Sequence, residues 1–276
     1  MIRFKKSKRL KLMFRWCSFC QHLIGETPPL NRFQVTHGIC DQCAEQLGTQ
    51  DPPPSVLRAK ALFDNLDTAA HSGNFEATGQ AIDEALAAGL KPSEIMIGVL
   101  HPILGRVGDL WEAGEMSVAE EHRVTEFASR VIGERLRNRP PRRRKPLVLL
   151  APYEESCHEI GLGMLQHLTW ERDLACRRLP VGTSGEEISN AVEELQPQLV
   201  GLSVSLVDTV PRAIGFAREL ARKLPPDCEL VLGGAAFRQA EALALPADLS
   251  VLTTADQYIE RLDRFDKSTV ASRIPP

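Results

Sequence analysis

Apolar positions along the chain change their period more than once, and each change marks a different kind of element. From residue 93, Met96, Val99, Ile103, Val107, Leu110 and Trp111 recur at intervals of three and four, which is one face of a long helix. Pro102 lies inside that run and predicts a kink, because it has no N–H and crowds the preceding turn. Gly114 ends the helix. Ser117, with Glu120 three residues later, has the form of a capping box that starts another, reaching residue 138 or so. Upstream, residues 56–72 and 74–88 read as two further helices parted by Gly73, with Gly89 placed to end the second. The four form a helical bundle over residues 55–138.

Beyond residue 146 the pattern becomes short apolar runs. Residues 147–150, between Pro146 and Pro152, suit a strand covered on both faces. Further strands are predicted at 175–179, 198–203, 229–232 and 249–252. Helices alternate with them: Ser184 and Glu187 cap one, residues 209–223 form another, and residues 255–265 close the series. Strand and helix in strict alternation predict an α/β domain over residues 146–270, a doubly wound parallel sheet of five strands. Ligands bind such sheets past the carboxyl ends of the strands, where loops have free backbone groups and helices begin with unpaired N–H groups.

The 276 residues allow two domains, and 43% hydrophobic with 25% charged residues is ordinary for a soluble globular protein. No apolar run is long enough to span a bilayer and no signal-peptide pattern follows the N-terminus, so the cytoplasm is the expected location. The net charge of −3 hides an asymmetry. Residues 1–16 and 135–145 each carry seven Lys or Arg and no acid, leaving 19 basic against 36 acidic residues elsewhere. The first block also holds Ile2, Phe4, Leu10, Leu12, Phe14 and Trp16 in no clean register, and reads as a basic arm able to meet phosphate, a membrane surface or a partner. The second is a linker, and both equally suit solvated segments.

Cys17-x-x-Cys20 and Cys40-x-x-Cys43, 19 residues apart, have the spacing of a four-cysteine zinc site. Each pair supplies two thiolates from one tight turn, and the metal would hold residues 17–50 together where their apolar content is low. His22 and His37 are alternative ligands, but four cysteines already close a tetrahedral shell. The segment resembles small zinc-ribbon-like modules of bacterial signalling proteins, which implies metal binding and no activity. Residues 51–54, Asp-Pro-Pro-Pro, form a stiff spacer to the bundle.

The loop after the first strand of the α/β domain carries His158-x-x-Gly161. Alone it is weak evidence, and a structural histidine is the simpler reading. The loop after residues 198–203 carries Ser203 and Ser205, and that after residues 229–232 carries Gly233 and Gly234. All three loops leave the same edge of the sheet. Here the chain resembles the cobalamin-binding domain family, with a helical-bundle cap followed by a Rossmann-like, flavodoxin-like domain. The resemblance spans residues 55–265. It implies that His158 is the lower cobalt ligand, with Gly161 beside it, and that Ser203, Ser205, Gly233 and Gly234 contact the cofactor's displaced nucleotide tail. Neutral imidazole suits such a centre. The family has an acid two residues before the histidine, to orient the ring; this chain has Ser156, with Glu154 and Glu155 nearby. Cys157, Cys176 and Cys228 read as structural cysteines, and His71, His101 and His167 match no motif.

Trp111, nine intervening residues, then Glu121-His122 resembles the bundle signature of light-responsive cobalamin-dependent transcription regulators. The resemblance implies that Trp111 packs over an adenosyl or methyl group and that Glu121 and His122 hydrogen-bond it. Some of those photoreceptors have a histidine directly after the tryptophan; here it is Glu112. The expectation is a non-enzymatic cobalamin sensor regulating transcription, acting through a DNA-binding regulator protein or nucleic acid. A corrinoid methyl carrier and a haem-binding variant are the alternatives. The adenosyl, methyl or hydroxo form, the partner and the oligomeric state stay open.

Overall fold

The computed structural model of the chain describes residues 11–17, 23–30, 34–38, 40, 65, 68, 75–87, 89–136, 139–142, 147–153, 159–239 and 246–271. It divides into two compact units, Lys11–Arg137 and Asn138–Pro276.

The first unit opens with three strands, β1 (Lys11–Cys17), β2 (Leu23–Leu30) and β3 (Gln34–Gly38), in the order β2-β1-β3. β1 is antiparallel to β2 and parallel to β3. The second half of the expected basic arm is therefore strand. Phe14 and Trp16 alternate with exposed Arg15, the period-two burial of a sheet face. The expected first helix lies outside the described residues apart from Asn65 and Thr68, both helical. Next come α1 (Glu76–Ala87), α2 (Pro92–Ile95), a π-helical turn (Met96–Leu100), α3 (His101–Glu112) and α4 (Val118–Glu134). From Pro92 to Glu112 the helix is continuous, and Pro102 marks its irregularity. A proline at 102 clashes with the carbonyl of residue 98, and the chain absorbs this as a π turn, with His101 N–H donating to the Met96 carbonyl. The Ser117 capping box forms as expected: Glu120 N–H donates to Ser117 Oγ (3.3 Å) and Ser117 N–H to Glu120 Oε2 (2.8 Å).

The strands pack on this helix rather than standing free. The Trp16 indole lies over Gly98, so close that a Cβ at 98 would fall 2.3 Å from Trp16 Cζ2. Phe14 meets His101 edge-on with ring centroids 5.8 Å apart. Glu94, only 8% exposed, accepts from the Leu23 N–H (2.8 Å) with one oxygen and the Lys91 N–H (2.9 Å) with the other. One buried carboxylate thus caps the helix and pins β2 to it.

The second unit contains β4 (Leu147–Pro152), α5 (Ile160–Glu171), β5 (Ala175–Arg178), α6 (Gly185–Leu195), β6 (Leu199–Ser203), a 3₁₀ turn (Val207–Thr209), α7 (Val210–Ala221), β7 (Glu229–Gly233), α8 (Ala235–Gln239), β8 (Ser250–Leu252) and α9 (Ala255–Ala271). All five strands are parallel in the order β5-β4-β6-β7-β8. This is the doubly wound sheet expected from the sequence, with one short helix, α8, unforeseen. One face buries Leu149, Ala151, Val200, Leu202, Leu230 and Leu232 against α6, α7 and α8. On the other face α5 and α9 are joined by a buried hydrogen bond between Thr169 Oγ1 and Tyr258 OH (2.7 Å). Cys176 and Cys228 are held as thiols, burial pushing them up to about 12 and about 11. No helix among the described residues is long and apolar enough to cross a membrane.

Candidate functional site

The carboxyl ends of the central strands are level. Pro152 pairs with Ser203, Ser203 with Gly233, and Gly233 with Leu252. Between β4 and β6 the connections diverge, β4 leading out to β5 and β6 leading the other way to β7. That divergence lies at Pro152 and Ser203, and past such a switch point is the position where doubly wound sheets take ligands.

The pairing continues beyond the strand ends and shapes the loops. Tyr153 N–H donates to the Ser203 carbonyl (2.9 Å), and the buried Tyr153 ring stacks obliquely on Phe216 at 5.5 Å. Val204 N–H donates to the Gly233 carbonyl (2.8 Å), and Ala236 N–H to the Val204 carbonyl (3.1 Å). Gly234 turns over Val204 with φ +112, and a Cβ there would lie 2.3 Å from the Val204 carbonyl oxygen. A Cβ at Gly233 would lie 3.1 Å from the Leu252 carbonyl oxygen. The Gly-Gly turn is thus required by the sheet edge itself. Ser203 and Ser205 stand half-buried on either side of Val204.

α5 starts at the same edge. Glu159 is its N-cap, and a Cβ at exposed Gly161, in the first turn, would meet nothing within 4 Å. The backbone there is open to a bulky ligand, in contrast to the packed Gly-Gly turn. His158, Gly161's partner in the motif, lies outside the described residues, as do Glu154, Glu155, Ser156 and Cys157. On the β5 side, Arg178 Nη1 donates to the Glu159 carbonyl (3.3 Å) and lies 3.6 Å from Glu159 Oε2. The sequence reading missed this pair, since only the β4–β5 register brings the two residues together.

In the first unit, Trp111 occupies the last turn of α3 and is 50% exposed, and Val118 at the start of α4 is 53% exposed. Glu121 follows in α4, its Oε1 accepting from Thr125 Oγ1 (2.7 Å) and its Oε2 3.5 Å from Nε2 of exposed His122. Trp111 and the Glu121–His122 pair therefore flank one interhelical turn. A half-exposed indole is unusual, since tryptophan is mostly buried.

Of the four cysteines, Cys17 and Cys40 are described and Cys20 and Cys43 lie outside the described residues. Cys40 N–H faces Cys17 Sγ at 3.5 Å. Among the described residues no group of three or more metal-ligating side chains occurs.

Half-buried Ser203 and Ser205 and the bare turn at Gly161 suit the polar edge and bulk of the corrinoid expected from the sequence. A family model described as the B12 binding domain matches residues 62–135. The HTH-type transcriptional repressor CarH of Myxococcus xanthus is 30% identical over 214 residues, covering 76% of this chain and 69% of the repressor. The monomethylamine corrinoid protein of Methanosarcina barkeri has the same fold, with a TM-score of 0.58 at 19% identity, covering 74% of this chain and 99% of that one.

Proposed function

The chain belongs to the B12-binding domain family, and on that premise we propose that it is a cobalamin-binding sensor that regulates transcription in response to light or cofactor supply. The observation that carries this reading is the level carboxyl edge of the sheet at its switch point, Pro152 beside Ser203, with the uncovered helix turn at Gly161. In this reading His158 is the lower axial ligand, Gly161 leaves room beside it, and Ser203 and Ser205 hold the tail's polar groups. Gly233 and Gly234 keep the edge narrow. Trp111, Glu121 and His122 take the upper ligand. Bound cobalamin supplies a cobalt–carbon bond that light can cleave. Trp111 and Glu121 would respond to whether the upper group is present, and a coupling of about 1–3 kcal/mol, the common allosteric scale, would change a partner's affinity about five- to 150-fold. The Myxococcus relative's repressor role supports a DNA-binding partner or DNA itself as the output.

The test is to load the full chain separately with adenosyl-, methyl- and hydroxocobalamin and with haem, and to record absorption in the dark and after illumination. The sensor reading expects all three cobalamins to bind, with the two alkyl forms changing on illumination. Binding of haem alone would move the site to a haem-binding sensor. Cobalamin binding with a partner affinity that is the same for the cofactor-free, loaded and illuminated chain would favour a methyl carrier.

A zinc ion on Cys17, Cys20, Cys40 and Cys43 is the second part of this reading. It is supported by the two pairs starting at one end of the parallel strands β1 and β3, with the Cys40 N–H directed at Cys17 Sγ. Such a metal would tie the strand ends together. We expect one zinc per chain, and Cys40→Ser to release it and lower the melting temperature. Metal-free protein, or unchanged zinc in the variant, sinks the assignment.

A further inference from the structure

We propose that Thr125 is a positioning residue for Glu121, holding its carboxylate ready for the upper group of the cofactor. The proposal rests on the reading of Glu121 as a contact of that group. α4 begins at Val118, so Glu121 and Thr125 stand one helical turn apart, on the face that Val118 and His122 share. The two acids of the first turn have different tasks. Glu120 serves the cap: its Oε2 accepts from the Ser117 N–H (2.8 Å) and from the Ser117 hydroxyl (2.6 Å). The Glu121 carboxylate turns along the helix instead, and its Oε1 accepts from the Thr125 hydroxyl at 2.7 Å. That length is at the short, charge-assisted end of O–H···O hydrogen bonds.

A threonine hydroxyl has one proton, and inside a helix it is commonly given to the carbonyl four residues back. Thr169 in α5 does this, donating to the Leu165 carbonyl at 2.8 Å. The equivalent carbonyl for Thr125 belongs to Glu121 itself, yet the proton goes to that residue's side chain. With Oε1 held there, Oε2 lies 3.5 Å from Nε2 of His122. Both Glu121 and Thr125 are half-buried, so the pair is partly shielded from water. An ionised carboxylate only accepts, so what it can hold of an upper group is an O–H or N–H. The hydroxyls of an adenosyl group provide such donors and a methyl group has none. Ordering a flexible glutamate beforehand removes a cost that binding would otherwise bear, whereas an i,i+4 pair on a helix adds little to folding. Thr125 should consequently matter to the adenosyl form, act only through Glu121, and hardly affect stability.

The experiment measures the affinity of the full chain for adenosylcobalamin and for methylcobalamin in the dark, by absorption titration, together with the melting temperature. Thr125→Val, which keeps the shape and removes the hydroxyl, should bind adenosylcobalamin about fivefold more weakly, the scale of one net hydrogen bond. Its affinity for methylcobalamin and its melting temperature should stay as in wild type, and Thr125→Ser should restore most of the loss. Combining Thr125→Val with Glu121→Ala should cost no more than Glu121→Ala alone, as it must if one residue acts through the other. A Thr125→Val protein with wild-type affinity for adenosylcobalamin overturns the proposal and leaves the Glu121 reading intact. Equal losses for the two cobalamins, or losses that add in the double variant, also overturn it, since Thr125 would then act by packing or on its own. If Glu121→Ala binds adenosylcobalamin as wild type does, the Glu121 reading fails and this proposal fails with it.

Discussion

Three glycines at the sheet edge look alike in sequence and differ in what they do. Gly234 has φ +112 and no room for a Cβ against Val204, whereas Gly161 is helical with open space around it. Gly234→Ala should therefore destabilise the protein by about 2–4 kcal/mol, combining left-handed strain with overpacking. Gly161→Ala should gain up to about 1 kcal/mol from helix propensity, yet weaken cobalamin binding by filling the space. Urea unfolding and cofactor titration of both variants separate the two roles; unaltered binding by Gly161→Ala would mean that this turn faces no ligand. At this scale the motif was legible, because His158, Gly161, Ser203, Ser205, Gly233 and Gly234 are chemically distinctive. The reasons for each were not. That Gly233 and Gly234 serve Val204 and Leu252, and that Arg178 reaches Glu159, follow from strand register, which residue order does not disclose.

The least legible element was β1. Leu12, Phe14 and Trp16 alternate along it in sequence, but seven cations in residues 1–16 masked a period-two signal whose partners, β2 and the helix at Gly98, are remote in sequence. Pro102 correctly signalled an irregular helix, and the structure gives it the form of a π turn beneath Trp16. The contact at Gly98 makes a clear prediction. Gly98→Ala gains up to about 1 kcal/mol in helix propensity but sets a Cβ 2.3 Å from a rigid buried indole, and overpacking of about 1–3 kcal/mol should win. Gly133→Ala, on an exposed part of α4 with nothing within 4 Å, should be neutral or stabilising. Thermal melts of the two variants check this; equal effects would mean that β1 does not bear on the helix.

At the scale of the whole chain, the change of period across the arginine-rich linker coincides with the end of the unit Lys11–Arg137, which also takes in strands expected to lie in a separate arm and module. The parallel sheet was legible because its short apolar runs alternate with capped helices, and strand limits differ from expectation by one or two residues, the most at β4, which runs through Pro152. Strand order then puts the switch point of the sheet at the ends of Pro152 and Ser203. The central claim is that this edge binds cobalamin through His158. Its most direct test is a titration of apoprotein in the dark with hydroxocobalamin for uptake and with cobinamide, which lacks the nucleotide base, for the axial nitrogen, followed by absorption, for wild type and His158→Ala. The account predicts one cofactor per wild-type chain with a nitrogen-ligated spectrum, and a variant that melts normally but binds at least about tenfold more weakly, without that spectrum. Identical spectra and affinities for the two proteins, or a wild type that takes up no cobalamin, would contradict it.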